Sequence, residues 1–155
     1  MQISVKMKLL RAGARLPAYA SADAAGMDLY AAIDAPLTLK PGTRVRIPCG
    51  FAMAPERRDV AGLIFARSGL AHKIGLAPSN AVGVVDADYR GEVMVSLLHA
   101  GEEEYVLSPG ERFAQLVFVP VFRAEVEEVS SLASLERVST YACPLYHGSF
   151  PAVSI

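Results

Sequence analysis

The sequence predicts an all-β domain, closed as a sandwich or a barrel and carrying little helix. Three observations predict it. Short apolar or alternating segments recur along the chain, Gly, Pro and Asn punctuate them, and only two short stretches have a helical pattern. Many brief strands at such spacing suit stacked or closed antiparallel sheets rather than a parallel βαβ sheet.

Taken in order, residues 2–9 alternate with period two, the mark of a half-buried strand. Residues 37–40, the Pro41-Gly42 turn and residues 43–47 read as strand, turn, strand. Residues 55–60 are one candidate helix, and residues 61–66 form the next strand. Residues 68–74 are the second candidate helix, with Ser68 a suitable N-cap. The apolar run 82–85 stops abruptly at Asp86, and residues 80–92 suit a hairpin that presents an acid and a ring at one mouth. Strands over 92–98 and 113–119 flank a turn at Pro109-Gly110. Past Glu125 the chain turns acidic, then Ser-rich, so residues 1–126 are expected as the β core and 127–155 as an extended arm.

Composition narrows the function classes. The chain has 155 residues, 52% apolar and 20% charged, with a formal net charge of −1. It is long enough for a substantial core and lacks the basic footprint of a nucleic-acid or acidic-membrane binder. Two cysteines, Cys49 and Cys143, make neither a disulfide framework nor a zinc spacing. The N-terminus has no signal-peptide core, and the longest apolar stretch, residues 116–122, is too short to span a bilayer and contains Pro120. A cytoplasmic location is expected.

The most informative stretch is Asn80-Ala-Val-Gly-Val-Val-Asp-Ala-Asp-Tyr-Arg-Gly-Glu92. A carboxylate at the end of an apolar strand is costly to bury without a partner or a task. Arg67-Ser68-Gly69 sits where a strand gives way to helix, so it is either an anion-binding corner or an ordinary helix start with a solvated arginine. Asp28 beside Gly26 is a turn or cap residue or a functional acid. Gln115 within an apolar run is a core amide bonded to backbone or a donor to a ligand. His72, His99 and His147 form no ligand cluster, and no Walker loop or dinucleotide fingerprint is present.

In combination these segments resemble the trimeric dUTP diphosphatase (dUTPase) family. Ala25-Gly-Met-Asp-Leu29, Ala66-Arg-Ser-Gly-Leu-Ala71, residues 80–92 and Gly110-Glu-Arg-Phe-Ala-Gln-Leu-Val117 match its first four motifs in order. The resemblance implies a jelly-roll-like fold and a homotrimer with active sites between subunits. It implies magnesium-dependent hydrolysis of dUTP to dUMP and diphosphate, limiting uracil entry into DNA and supplying dUMP for dTMP synthesis. By motif, Asp86 would be the general base that activates water. A carboxylate ionised at neutral pH suits that role. Asp28 would hold magnesium through water, in keeping with that ion's retained hydration shell. Arg67, Ser68, Gly69 and Gln115 would bind phosphates. Asn80 would read uracil with the backbone of Val84 and Val85, Tyr89 would pack on deoxyribose and exclude a 2′-hydroxyl, and Met94 would line the same pocket.

The family's fifth motif, a glycine-rich arm, is missing. Leu135-Glu-Arg137 arrives where expected, so Arg137 would be the arm's phosphate-binding arginine, but Val138-Ser-Thr-Tyr-Ala follows. Neither Tyr141 nor Phe150 falls where the family's stacking Phe would; a shifted reading frame after Arg137 is one expectation for the abrupt loss, and an atypical arm over 138–155 that still closes the site is the other. Retained binding with reduced turnover is the expected consequence. A lid-defective nucleotide-sensing homotrimer is the alternative, and a dCTP-deaminase-related enzyme a more distant one, because Asp86-Ala-Asp88-Tyr89 looks like the hydrolase version.

Overall fold

The computed structural model of the protein describes residues 2–131. Residue contacts divide the chain into two units, Met1–Arg123 and Ala124–Ile155. In the second, the described residues 124–131 contain no strand or helix.

The first unit is a jelly-roll-like β sandwich with one short helix. Its strands are β1 (Val5–Leu9), β2 (Ala18–Tyr19), β3 (Met27–Tyr30), β4 (Leu37–Leu39), β5 (Arg44–Pro48), β6 (Phe51–Pro55) and β7 (Val60–Ala66). Helix α1 (Ser68–Ile74) follows, then β8 (Leu76–Pro78), β9 (Gly83–Val85), β10 (Met94–His99), β11 (Tyr105–Leu107) and β12 (Arg112–Pro120). The largest sheet has the order β2-β3-β12-β7-β9, and the others are β5-β10-β8, β1-β6 and β11-β4. All pairings are antiparallel.

One core joins the four sheets. Phe51 and Met53 from β6, Ile47 and Leu97 from the three-stranded sheet, Leu39 and Leu107 from the β4–β11 pair, and Leu29, Ile64 and Leu116 from the large sheet form a single buried cluster. Burial of these apolar side chains is the main force holding the sheets face to face. Among the described residues no helix is long and apolar enough to cross a membrane.

Three local expectations are corrected. Residues 55–60 are not helical: Pro55 ends β6, Arg57 Nε donates to Asp59 Oδ1 at 2.8 Å across the turn, and Val60 already opens β7. Residues 80–92 do not form a hairpin. β9 pairs with β7, and the chain then crosses to β10 in another sheet, so the acid and the ring sit on a crossover. Ser68 is not the N-cap; Arg67 is, with extended φ −80° and ψ 127° and no side-chain cap bond.

Candidate active site

Two clefts gather the residues singled out from the sequence, and they share no lining residue. The first is about 310 Å³ and is lined by Asn80, Val84, Val85, Asp86, Tyr89 and Met94, together with Arg46, Glu92, Val93 and Ser96. It lies along the outward face of β10, whose Val95 and Leu97 point into the core while Met94 and Ser96 point away. Asn80 is carried on a tight turn after β8, with the Ala81 N–H donating to Pro78 O at 3.1 Å and the Val82 N–H to Asn80 O at 2.7 Å. Ala81 holds φ at 62°, a left-handed conformation costly for any residue with a Cβ.

After β9 the chain turns at once. Asp86 is exposed, and its carbonyl accepts the Tyr89 N–H at 3.1 Å, closing a turn that places acid and ring on one side. The Tyr89 hydroxyl donates to Glu92 O at 3.0 Å. Glu92 is held below the usual carboxylate range, first by its hydrogen bonds from Arg11 and then by that cation's charge and the Gly50 N–H, against the opposing effect of burial.

The second cleft is about 360 Å³ and is lined by Asp28, Arg67, Ser68, Gly69 and Gln115 with the segment Ala24–Gly26 and Ala20. Strand register builds it. Asp28 on β3 stands opposite Gln115 on β12, which stands opposite Phe65 on β7, two residues before Arg67. Asp28 is buried at 7% exposure, and its two oxygens are taken separately: Oδ1 by Arg67 Nε at 3.0 Å, Oδ2 by Arg112 Nη1 at 3.1 Å. Arg67 Nη1 also donates to Arg112 O at 3.2 Å, which leaves its other N–H groups without a protein partner among the described residues. Because no side chain caps α1, the first-turn N–H groups at Ser68 and Gly69 are likewise open to a ligand. Gln115 Nε2 donates to Ala66 O at 2.8 Å, the backbone-bonded amide weighed from the sequence. Gly26 allows that amide its place: a Cβ there would stand 2.9 Å from Gln115 Oε1.

Sequence reasoning missed Arg112, Arg46 and Ser96. Arg112 lies inside the quoted motif around Gln115, but its partner, Asp28, is 84 positions away and only strand pairing brings them together. Arg137 lies outside the described residues.

A divalent ion finds no protein cage here. Among the described residues no group of three or more His, Cys, Asp or Glu side chains could hold one. Both Asp28 oxygens already face a guanidinium, Oδ1 in an ion pair with Arg67 and Oδ2 accepting an Arg112 N–H, so the carboxylate fits an ion approached through water rather than by direct ligation.

Known proteins give this geometry its context. The dUTPase family model matches residues 12–142. The chain belongs to the dUTPase family. It is 47% identical over 137 residues, 88% of this chain and 93% of the relative, to the deoxyuridine 5'-triphosphate nucleotidohydrolase of Burkholderia multivorans. It is 48% identical over 125 residues, 79% of this chain and 83% of the relative, to the enzyme of that name from Desulfitobacterium hafniense. The fold matches a mutant dUTPase of Staphylococcus bacteriophage 80alpha solved with dUpNHpp, with TM-score 0.76 and 26% identity over 84% of this chain and 99% of that one. It also matches a mutant dUTPase of phage phi11 of S. aureus solved with a structural Mg(II) ion, at TM-score 0.76 and 23% identity over 84% and 99% of the two chains. As a dUTPase the protein is a hydrolase that converts dUTP to dUMP and diphosphate.

Proposed function

We propose that this dUTPase works as a homotrimer whose active sites each combine the Asn80–Tyr89 cleft of one subunit with the Asp28–Arg67–Gln115 cleft of another. One observation carries the reading. The polar chemistry suited to a nucleoside and the cationic chemistry suited to phosphates lie in separate clefts without a common residue, yet dUTP is a single molecule. The enzyme acts on free nucleotide in the cytoplasm.

In the first cleft Asn80, with the backbone of Val84 and Val85, pairs with uracil. Such a site rejects cytosine by unpaired donors and acceptors, a steep penalty, and thymine by its methyl. Tyr89 covers the deoxyribose face and Met94 fills the pocket beside it. Asp86, exposed and on the same turn as Tyr89, takes the proton of a water that attacks the α-phosphorus. In the second cleft Arg67 offers its unpartnered N–H groups to phosphate oxygens, with Ser68, Gly69 and Gln115 beside it; Arg137, outside the described residues, is assigned to phosphate binding by its motif alone. Asp28 fixes the direction of Arg67 and would hold a magnesium ion through water; such an ion would supply charge neutralisation for the triphosphate.

Subunit mixing tests the shared site. Asp86→Asn and Arg67→Ala are each expected to be nearly inactive alone. Refolded together, they should regain turnover, because some mixed sites draw an intact Asp86 from one chain and an intact Arg67 from the other. No recovery, with mixed trimers verified by mass, would place both clefts' functions within one subunit.

A further inference from the structure

Tyr89 is tied to the fold through a chain of contacts that ends outside both clefts. Its hydroxyl donates to Glu92 O at 3.0 Å, and Gly91 leaves room for the ring, since a Cβ there would stand 2.4 Å from Tyr89 Oη. The Glu92 carboxylate is then gripped by Arg11, Nε to Oε1 at 2.7 Å and Nη2 to Oε2 at 2.9 Å, while the Gly50 N–H donates to Oε1 at 3.1 Å. The Glu92 side chain is only 19% exposed. A two-point Arg–carboxylate contact fixes orientation as well as distance, which a single-point pair does not.

Arg11 lies between β1 and β2 and lines neither the nucleoside nor the phosphate cleft. Its neighbour Leu10 donates its N–H to Gly50 O at 2.9 Å, so the arginine is itself anchored beside the residue that shares its carboxylate. On the far edge, the Val93 N–H, in the same peptide plane as the Glu92 carbonyl, donates to Phe51 O at 2.9 Å. The Tyr89 acceptor is thereby held from both sides: by β6 through Val93, and by the N-terminal segment through Glu92.

We propose that Arg11 is a positioning residue for sugar discrimination, setting through Glu92 the Tyr89 ring that excludes a 2′-hydroxyl. This rests on the reading of Tyr89 as the sugar-facing residue. A ring free to swing by an ångström makes room for one oxygen, and misplacement of that size is enough to change rates substantially. The effect belongs to specificity rather than to chemistry, because Arg11 lines neither cleft.

The test compares kcat/KM for dUTP and UTP in the full-length enzyme. Arg11→Ala and Glu92→Gln are each expected to lower the dUTP-over-UTP preference by on the order of tenfold, mainly through a better KM for UTP. Arg11→Lys, which keeps the charge but not the two-point grip, should fall between, and Tyr89→Phe should lose part of the preference. Should Arg11→Ala fail to fold, Glu92→Gln decides alone. A preference unchanged in Arg11→Ala or Glu92→Gln, but lost in Tyr89→Ala, overturns the role of Arg11 and leaves the sugar reading standing. A preference unchanged in Tyr89→Ala overturns the sugar reading, and the role of Arg11 with it.

Discussion

Asp28 Oδ1 on β3 forms an ion pair with Arg67 Nε at 3.0 Å where β7 gives way to α1, and this one contact decides which face of the guanidinium is left for a ligand. Removing the charge leaves Arg67 and Arg112 competing for a neutral acceptor in a mostly buried place. Asp28→Asn should cost about 1–2 kcal/mol of stability, less than a fully buried pair because both arginines keep some water contact. It should also raise KM for dUTP. Urea unfolding and steady-state kinetics check both, and an unaltered KM would separate Asp28 from substrate binding.

Asp86 stands exposed at the end of β9, without a hydrogen-bond partner for its side chain among the described residues. As the base, Asp86→Asn should lower kcat by roughly 10²–10⁴-fold while dUTP still binds. Turnover with calorimetric binding of a non-hydrolysable dUTP analogue measures the two separately. A normal rate removes Asp86 from the chemistry.

Gly26 controls Gln115 at a distance in sequence. Alanine there would crowd Gln115 Oε1 at 2.9 Å and Val117 Cγ2 at 3.2 Å, so the amide has to shift from its place against Ala66 O. Gly26→Ala is expected to raise KM several-fold with kcat little changed, the pattern of lost uniform binding. If kcat falls equally with kcat/KM, Gln115 contributes to the transition state instead.

Tyr105 donates its hydroxyl to Glu111, whose other oxygen accepts the Ser108 N–H at 2.9 Å. Burial first, and the Glu111 carboxylate second, push the phenol up to about 12. A folded value raised above the unfolded one of about 10 contributes stability that is whole below pH ~10 and lost as pH rises through about 12. Wild-type stability should drop across that window, and Tyr105→Phe, with no phenol to ionise, should drop less. Urea midpoints on either side of the window decide it, and parallel curves would sink the assignment.

Legibility from sequence followed the range of the interactions. The long strands and α1 were readable because their periodicity is local, whereas β6 was not. Phe51 and Met53 point inward, but Ala52 and Ala54 between them are apolar too, so the alternation is invisible. The strands β8 and β11 are three residues each, shorter than any period can establish. Residues 55–60 have a helix-friendly composition, yet two strand ends with four residues between them leave room only for a turn.

By itself the sequence determined the β class, the order of the motifs and the residue types that chemistry would need, because apolar periodicity, turn residues and side-chain chemistry are carried by neighbours. Only the tertiary structure decided which of them meet. It brought Asp28 to Arg67 and Arg112, Gln115 to Ala66, and Arg11 to Glu92 beneath Tyr89. It also put Asn80, Asp86 and Tyr89 in one cleft and Asp28, Arg67 and Gln115 in another. The reason is physical: strand register and sheet order fix contacts between residues far apart in the chain, and a one-residue slip in register would turn every such side chain to the opposite face.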